Sequence, residues 1–453
     1  MIQAKGSPVS ATAATQLAAR LADSNDGVAT GADGIARGFS TGKGTLSFPL
    51  VAVRVGLYLL RLDARAPGGE KEFEAQVGSS PPITGRVPRS TAFATREVGV
   101  VELAAGENVL TVGRGWGYYE IRAIELLPAP SASPLRPVRA VPVDAKATRT
   151  TRRLLKQITA KYGSATLSGQ YGEAESKYIQ VASGRLPAIL GADLMEYSPS
   201  RRARGADPKG LAEHLIQMAK SGSKPLLTLS WHWNAPAGLL DRELRQPDGK
   251  VVDARWYKGF YTNATTFDFA AALADPKSEN YRLLLRDMDA IAVELAKFAR
   301  AGIPLLWRPL HEADGGWFWW GARGAGPFVL LWKLLYHRLT VVHGLHNLLW
   351  VASSGLKPEW YPGDAFVDVV GIDSYPADPA DALAGDWRTL LARFDGRKPL
   401  ALTEFGAVPD IMRMHRYGVR WAYFVTWSGR PQKMGQAAVK RLYQAPKVVN
   451  RAR

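Results

Sequence analysis

Two glutamates stand where buried, β-rich runs of this chain end, and the residues around them are of the kinds that handle sugars. The stretch IPLLWRPLHEADGGWFWWG, Ile303 to Gly321, opens on an apolar run too short for a helix and delivers Arg308, His311 and Glu312 at its end. Four rings, Trp317, Phe318, Trp319 and Trp320, follow at once. Flat apolar faces match the C–H faces of a pyranose ring and leave its hydroxyls to polar neighbours. Taken singly, each ring is more simply a core residue, since large aromatics are usually buried for packing; the combination is what points to carbohydrate. KPLALTEFG, Lys398 to Gly406, repeats the design, with Leu400 to Thr403 apolar or β-branched and Glu404 at the turn out. Alone, Glu404 would suit a helix N-terminus equally well. As a pair, the two carboxyl groups are what glycosidic hydrolysis needs: one protonates the departing oxygen, and the other attacks the anomeric carbon or activates water.

The elements that must position these residues can be read from the same chain. Apolar, β-rich runs occur at Ala165 to Gln170, Pro187 to Leu194, Pro225 to Trp231, Ile303 to Leu310, Asn347 to Ser353, Val367 to Tyr375, Pro399 to Thr403 and Trp421 to Trp427. Helical patterns separate them, so the expected fold is an α/β (β/α)8 TIM barrel, whose chemistry lies at the C-terminal ends of the strands. Pro208 to Ser221 and Pro276 to Ala301 carry apolar residues at helical spacing, and each begins near an Asp-Pro pair suited to N-cap and first-turn positions. The long connection Asn234 to Asp275 holds Trp256, Tyr257, Phe260 and Tyr261 and is expected to wall the cleft.

WRPLHE, the following WFWWG and the later TEFG together resemble the signature of glycoside hydrolase family 26, over roughly Thr148 to the C-terminus. That family is dominated by endo-β-mannanases, folds as (β/α)8 barrels and retains configuration. The resemblance implies Glu312 as acid/base after the fourth strand and Glu404 as nucleophile after the seventh. It puts His311 in the place held by Asn in most of the clan, and Trp317 at the subsite of the sugar being cleaved. LSWHWNAP is similar to the third-strand motif, which implies that His232 bonds a sugar hydroxyl, with Trp233 and Asn234 near it. GIDSYP is similar to the sixth-strand motif, with the Tyr375 hydroxyl orienting the nucleophile and Asp373 close behind. TWSG is similar to the eighth-strand motif and makes Trp427 a stacking platform. Arg308 is expected to hold the nucleophile ionised through a charge-assisted hydrogen bond. The mechanism so implied needs carboxyl groups roughly 5 to 5.5 Å apart. It also needs a Glu312 whose pKa is raised by its apolar wall and by the charge of Glu404. The expected substrate is β-1,4-linked mannan, galactomannan or glucomannan. The alternatives are mixed-linkage β-glucan or β-1,3-xylan cleaved by the same mechanism, and, from a different class, a non-catalytic polysaccharide-binding protein.

A smaller module precedes the barrel. Of 14 Trp, only Trp116 lies before Trp231, so the first part of the chain is built differently. PAPSASPLRPVRAVPVD, Pro128 to Asp144, is rich in proline and small residues, as in a stiff linker. The expected division is 1–127 as an antiparallel β-sandwich, 128–147 as linker and 148–453 as catalytic barrel. Before the linker, GLYLLRLDARA, KEFEAQV and ENVLTVGRG alternate polar and apolar residues, which argues the sandwich. ELAAGENVLTVGRGWGYYEIRAIELL resembles a family 35 carbohydrate-binding module, and Trp116, Tyr118 and Tyr119 are its candidate sugar contacts. Relatives place calcium-binding acids where this chain has Leu17-Ala18-Ala19-Arg20 and Arg122, so an intact calcium site is not expected.

Composition sets the remaining bounds. The 453 residues carry 58 Lys and Arg against 41 Asp and Glu, a net charge of +17. That balance could attract anionic polymers, but no long Lys/Arg block interleaved with aromatics appears, and RRARG from Arg201 is too short to argue nucleic acid. With no cysteine, disulfides, thiol nucleophiles and thiolate metal sites are excluded. His343 and His346 show no acidic neighbour in sequence, and neither a metal nor a cofactor is expected. No stretch is apolar enough to span a membrane, and MIQAKGSPVSATAATQ lacks a secretion signal's apolar core. An extracellular location follows only from a polymer too large to cross a membrane. The partner expected is the polysaccharide alone, met by a monomer.

Overall fold

Eight short parallel strands close into a barrel: β1 (Gly169–Tyr171), β2 (Ile189–Asp193), β3 (Leu226–Trp231), β4 (Leu305–Pro309), β5 (Leu348–Ala352), β6 (Val369–Ser374), β7 (Leu400–Phe405) and β8 (Phe424–Thr426). The computed structural model describes residues 6–80, 82–115, 117–129, 133–222, 224–245, 249–376 and 378–451. Parallel strands covered on both faces read as unbroken apolar runs, and β4, β5 and β7 are buried at every position. Inside, Ile189, Leu306, Leu349, Val351, Val369, Ala401 and Val425 are packed in one cluster. The expected runs overlap all eight strands, but the first stops one residue short, at Gln170, and the seventh two short, at Thr403; at the start, Thr166–Leu167 leaves the barrel and pairs with Val448–Val449 near the C-terminus.

The long helix after the third connection is Glu279–Arg300, and the one before β3 is Leu211–Lys220. Their caps differ from expectation. The Ser278 side chain, not Asp275, accepts from Tyr281 N and caps the long helix. Asp275 and Asp207 instead accept from Lys277 N and Lys209 N, two residues on. An Asx turn one step upstream competes with the cap for the same short side chain. The connection from β3 contains a hairpin, Arg242–Arg245 with Val251–Ala254, and a short helix Phe269–Ala274.

The chain divides into two compact units, Met1–Ser133 with Arg416–Gly418, and Pro134–His415 with Val419–Arg453. From Pro134 the proline-rich stretch is therefore part of the barrel unit. Val143 N donates to Asp368 Oδ1 at 2.7 Å, Asp144 meets His346 Nδ1 at 2.8 Å, and Arg136 meets Asp395 at 2.9 Å.

In the first unit two sheets face each other. One runs Ser7–Val9, Thr45–Ala52, Gly106–Gly113, Lys71–Val77, Ile83–Val87, and the other Ser90–Leu103, Gly56–Ala66, Glu120–Pro128, Ala36–Arg37, Ala29–Thr30. Along KEFEAQV, residues 71, 73, 75 and 77 are buried and those between are not, the period-two signature of a sandwich. The sugar-contact expectation for Tyr119 is corrected here. It is 1% exposed, and its ring lies stacked on Phe39 at 4.4 Å in the core. Tyr118, the next residue back, is 72% exposed and held at φ 67°. Trp116 lies outside the described residues. Arg122 pairs with the buried Asp63 at 2.6 Å.

Candidate active site

β4 ends abruptly, because Leu310 and Glu312 both adopt left-handed backbone, at φ 50° and 53°. Non-glycine residues rarely do so, and such strain gathers where geometry is over-determined by its surroundings. Glu312 is half-buried, and its Oε2 accepts from Trp317 Nε1 at 2.9 Å. Gly315 makes that approach possible, since a Cβ there would sit 2.1 Å from the Trp317 ring. Trp317 is 49% exposed, whereas Phe318, Trp319 and Trp320 are buried. Trp319 and Trp320 spend their indole N–H groups on the carbonyls of Trp233 and His311, at 2.6 and 2.8 Å.

The register between β6 and β7 shifts after Ile372, so that Asp373 lies opposite Glu404. Irregularities of this kind re-aim side chains beside active sites. Glu404 is buried and accepts from Arg308 Nη2 at 2.5 Å through Oε2, and from the Tyr375 hydroxyl through Oε1. Tyr375 comes this close because Gly406 has no side chain; a Cβ there would be 2.2 Å from its ring. Arg308 is wholly buried and every arm is used: Nη1 donates to Asp373 at 2.5 Å, and Nε and Nη2 donate to the Tyr171 hydroxyl at 3.1 and 3.0 Å. Thr403 Oγ1 donates to the other oxygen of Asp373 at 2.7 Å. A buried guanidinium is tolerable only when paired and hydrogen-bonded, and this one is paired with two carboxylates and makes four hydrogen bonds.

One oxygen each from Glu312, Asp373 and Glu404 lie within 4.8 Å of one another. Among the described residues this is the acidic cluster with spacing suited to a metal, yet two of its three carboxylates are bonded to Arg308. Burial pushes the Glu312 pKa up, the charge of Glu404 adds to it, and Arg308 with the Trp317 N–H works against both. The arrangement is one carboxyl biased towards its protonated form facing a second, immobilised carboxylate.

A histidine pair adjoins the two glutamates. His232 Nδ1 meets Asp193 Oδ2 at 2.6 Å, Ser230 Oγ donates to the same oxygen at 2.6 Å, and His232 N donates to Oδ1 at 3.1 Å. Burial opposes charge on His232, but Asp193 outweighs it and raises the pKa; burial also opposes charge on Asp193, yet His232 and the hydrogen bonds bring it down to about 2. His311 is held well below the usual range by burial and by the charges of Arg308 and His232. His232 Nε2 and His311 Nε2 lie 3.2 Å apart, so that the N–H of one ring meets the lone pair of the other. Both nitrogens of His232 thus have protein partners, so any further partner of Nε2 would share it with His311. Trp427, half-buried, is tilted against Tyr171 at 4.8 Å and lies 6.0 Å from His232 between ring centres.

Three residues expected at the substrate are not free to reach it. Trp233 is fully buried, stacked on Trp231 at 4.4 Å, and gives its N–H to Asp287 at 2.8 Å. Asn234 is fully buried and donates to Trp256 O at 2.8 Å. The Asp373 side chain is 1% exposed and committed to Arg308 and Thr403. Each of the three is held by a partner inside the protein. Glu312, Glu404, Arg308, His311, His232, Trp317, Tyr375 and Trp427 are brought to the C-terminal end of the barrel. Sequence reasoning missed Asp193 and Tyr171. Asp193, a carboxylate ending β2, carried the same signal as Glu312 and Glu404; nothing marked Tyr171, whose role depends on the distant Arg308.

Residues 143–453 match the model of glycosyl hydrolase family 26, and residues 10–129 match that of the family 35 carbohydrate binding module. A mannan endo-1,4-beta-mannosidase of Thermothelomyces thermophilus is 35% identical over 394 residues, 87% of this chain and 79% of that protein. Mannan endo-1,4-beta-mannosidase A of a Piromyces species is 30% identical over 83% of this chain, which spans 60% of that longer protein. The crystal structure of a Podospora anserina GH26-CBM35 beta-(1,4)-mannanase superposes with a TM-score of 0.73 at 33% identity, covering 97% of this chain and 98% of that one.

Proposed function

Because this chain belongs to glycosyl hydrolase family 26, we propose that it cleaves β-1,4-mannosidic bonds within mannan, galactomannan or glucomannan, with retention of configuration. The observation that carries the mechanism is the pair of carboxylates with oxygens within 4.8 Å. Inverting enzymes leave room for a water between carboxyl groups about 6.5 to 9.5 Å apart, and retaining ones hold them at about 5 to 5.5 Å. Glu404 attacks the anomeric carbon while Glu312 protonates the leaving oxygen; Glu312 then deprotonates the water that frees the product. Arg308 and the Tyr375 hydroxyl, each on a different oxygen of Glu404, orient the attacking carboxylate and take up its negative charge as the bond forms and breaks. Burial, with the charge of Glu404 second, raises the Glu312 pKa, the direction a starting acid needs. The chemistry needs side chains alone.

Trp317 and Trp427 offer ring surface to the sugars on this reading, and His232 and His311 offer the polar contacts. In the module, Tyr118 is the remaining described candidate for sugar contact, supported by its exposure and its unusual backbone. The substrate is polymeric, so we place the enzyme outside the cell, acting as a monomer without nucleic acid. No helix among the described residues is long and apolar enough to cross a membrane. The domain division we propose is 1–127, 128–147 and 148–453, with the linker's residues from Pro134 onward held against the barrel unit. A reducing-sugar assay across galactomannan, glucomannan, lichenan and β-1,3-xylan tests the polymer: release confined to the mannans is expected, and release from lichenan or xylan alone would overturn it. Proton NMR of the first-formed product tests retention, with a β-anomer expected and an α-anomer excluding the double displacement.

A further inference from the structure

The connection leaving β3 returns to the barrel mouth at residues 260–262 and pairs with the loop that follows β4. Tyr261 and Phe318 form an antiparallel bridge. Thr262 N donates to Trp317 O at 2.8 Å, Trp319 N to Phe260 O at 3.2 Å, and Thr262 Oγ1 to Gly316 O at 2.8 Å. The segment that gives Glu312 its indole partner is thus pinned from a second element. Tyr261 rides on this clamp: its ring lies near-parallel to Phe318, at 5.5 Å and 25°, and is half-exposed. Among the described residues its hydroxyl has no hydrogen-bond partner. Besides burial, the charge that acts on Tyr261 is that of Glu312, whereas Tyr375 feels Glu404 before Glu312. Tyr261 is thus pinned to the segment that carries Trp317, the partner of the acid Glu312, whereas Tyr375 bonds the nucleophile Glu404.

In a double displacement, the sugar beside the acid is the one that leaves, since its oxygen receives the acid's proton. We propose that Tyr261 is a specificity residue for the leaving-side sugar, its ring lying against that sugar and its hydroxyl bonding one of the sugar's own. The inference rests on the retaining-mannanase reading above. It assigns the β3 connection a second task beyond walling the cleft, which is to select a carbohydrate leaving group and, in the reverse direction, a carbohydrate acceptor.

The full chain and its Tyr261→Ala and Tyr261→Phe variants are compared on mannohexaose and on 2,4-dinitrophenyl β-mannobioside, whose aryl leaving group is not a sugar. Tyr261→Ala is expected to lower kcat/KM on mannohexaose about tenfold more than on the aryl glycoside, with Tyr261→Phe showing a smaller selective loss. With mannobiose added as acceptor, the ratio of transfer product to hydrolysis product falls in both variants. Equal losses on the two substrates, or none on mannohexaose, overturn the inference while leaving the mannanase reading intact. A wild-type chain that cleaves neither substrate overturns that reading and the inference with it. Circular dichroism and melting temperature of the variants separate a selective loss from a folding defect, which would lower both activities together.

Discussion

Glu312 and Glu404 divide their labour through surroundings, not chemistry. Glu404 is tied to Arg308 and Tyr375, while Glu312 has a single indole donor and is half-buried. Replacing Glu404 by Ala is expected to reduce turnover by at least about 10⁴-fold while oligosaccharide binding, measured by calorimetry, persists. Retained turnover would remove it from the nucleophile's role. A subtler test uses Trp317. Its N–H stabilises the ionised form of Glu312 and so lowers that pKa. The acid must be protonated in the free enzyme, so kcat/KM falls as pH rises through the pKa of Glu312. In Trp317→Phe the donor is gone, the pKa rises, and the alkaline limb of the kcat/KM profile should move to higher pH. Loss of the hydrogen bond and of part of the ring surface should also cost about tenfold in kcat/KM at the optimum. An alkaline limb that moves down or stays in place would assign that limb to another group. At this scale the paired glutamates and Arg308 were legible, because each ends an apolar run. Asp193 ends an apolar run in the same way and was open to the same reading; its partner, a histidine 39 positions away that folding brings to 2.6 Å, was not.

At the scale of elements, the strands were legible because a strand covered on both faces has to be apolar along its length. The caps were not, since Asp-Pro and Ser compete locally for the same turn. Ser278 is remote from the cleft and caps a 22-residue helix packed on the barrel by Leu284, Ile291, Leu295 and Phe298. Ser278→Ala should lower stability by about 1 kcal/mol in denaturant titration and leave kcat and KM unchanged. No loss would mean that Tyr281 N finds another acceptor. The turn after β4 could not be read at all: nothing in LHEADGG announces left-handed backbone at Leu310 and Glu312. Those angles are imposed by what the loop must meet, namely the Trp317 ring over Gly315 and the clamp from residues 260–262.

For the whole molecule, the net charge of +17 raises the question of whether charge drives recognition. The site speaks otherwise, since Arg308 is buried and its charge is committed to Asp373 and Glu404. On neutral galactomannan, kcat/KM is expected to change less than about twofold between 50 and 500 mM sodium chloride, because exposed charges are screened within about 10 Å even at 0.1 M salt. A steep fall with salt would instead favour an anionic polymer as the partner. Two histidines make the same distinction between local and global reading. His343 and His346 have no acidic neighbour in sequence, yet one meets Asp289 at 2.6 Å and the other Asp144 at 2.8 Å. What the amino-acid sequence by itself determined was the order of elements, the sandwich preceding the barrel, and the paired glutamates, because periodicity and strand-end position are local properties of a chain. Only the tertiary structure decided which rings stay exposed and which fill the core, that Tyr119, Trp233 and Asn234 are spent on packing, and that Asp193, Tyr171 and Tyr261 adjoin the site. Burial and partnership depend on residues far apart in the chain, and no spacing along it encodes the distance across a closed barrel.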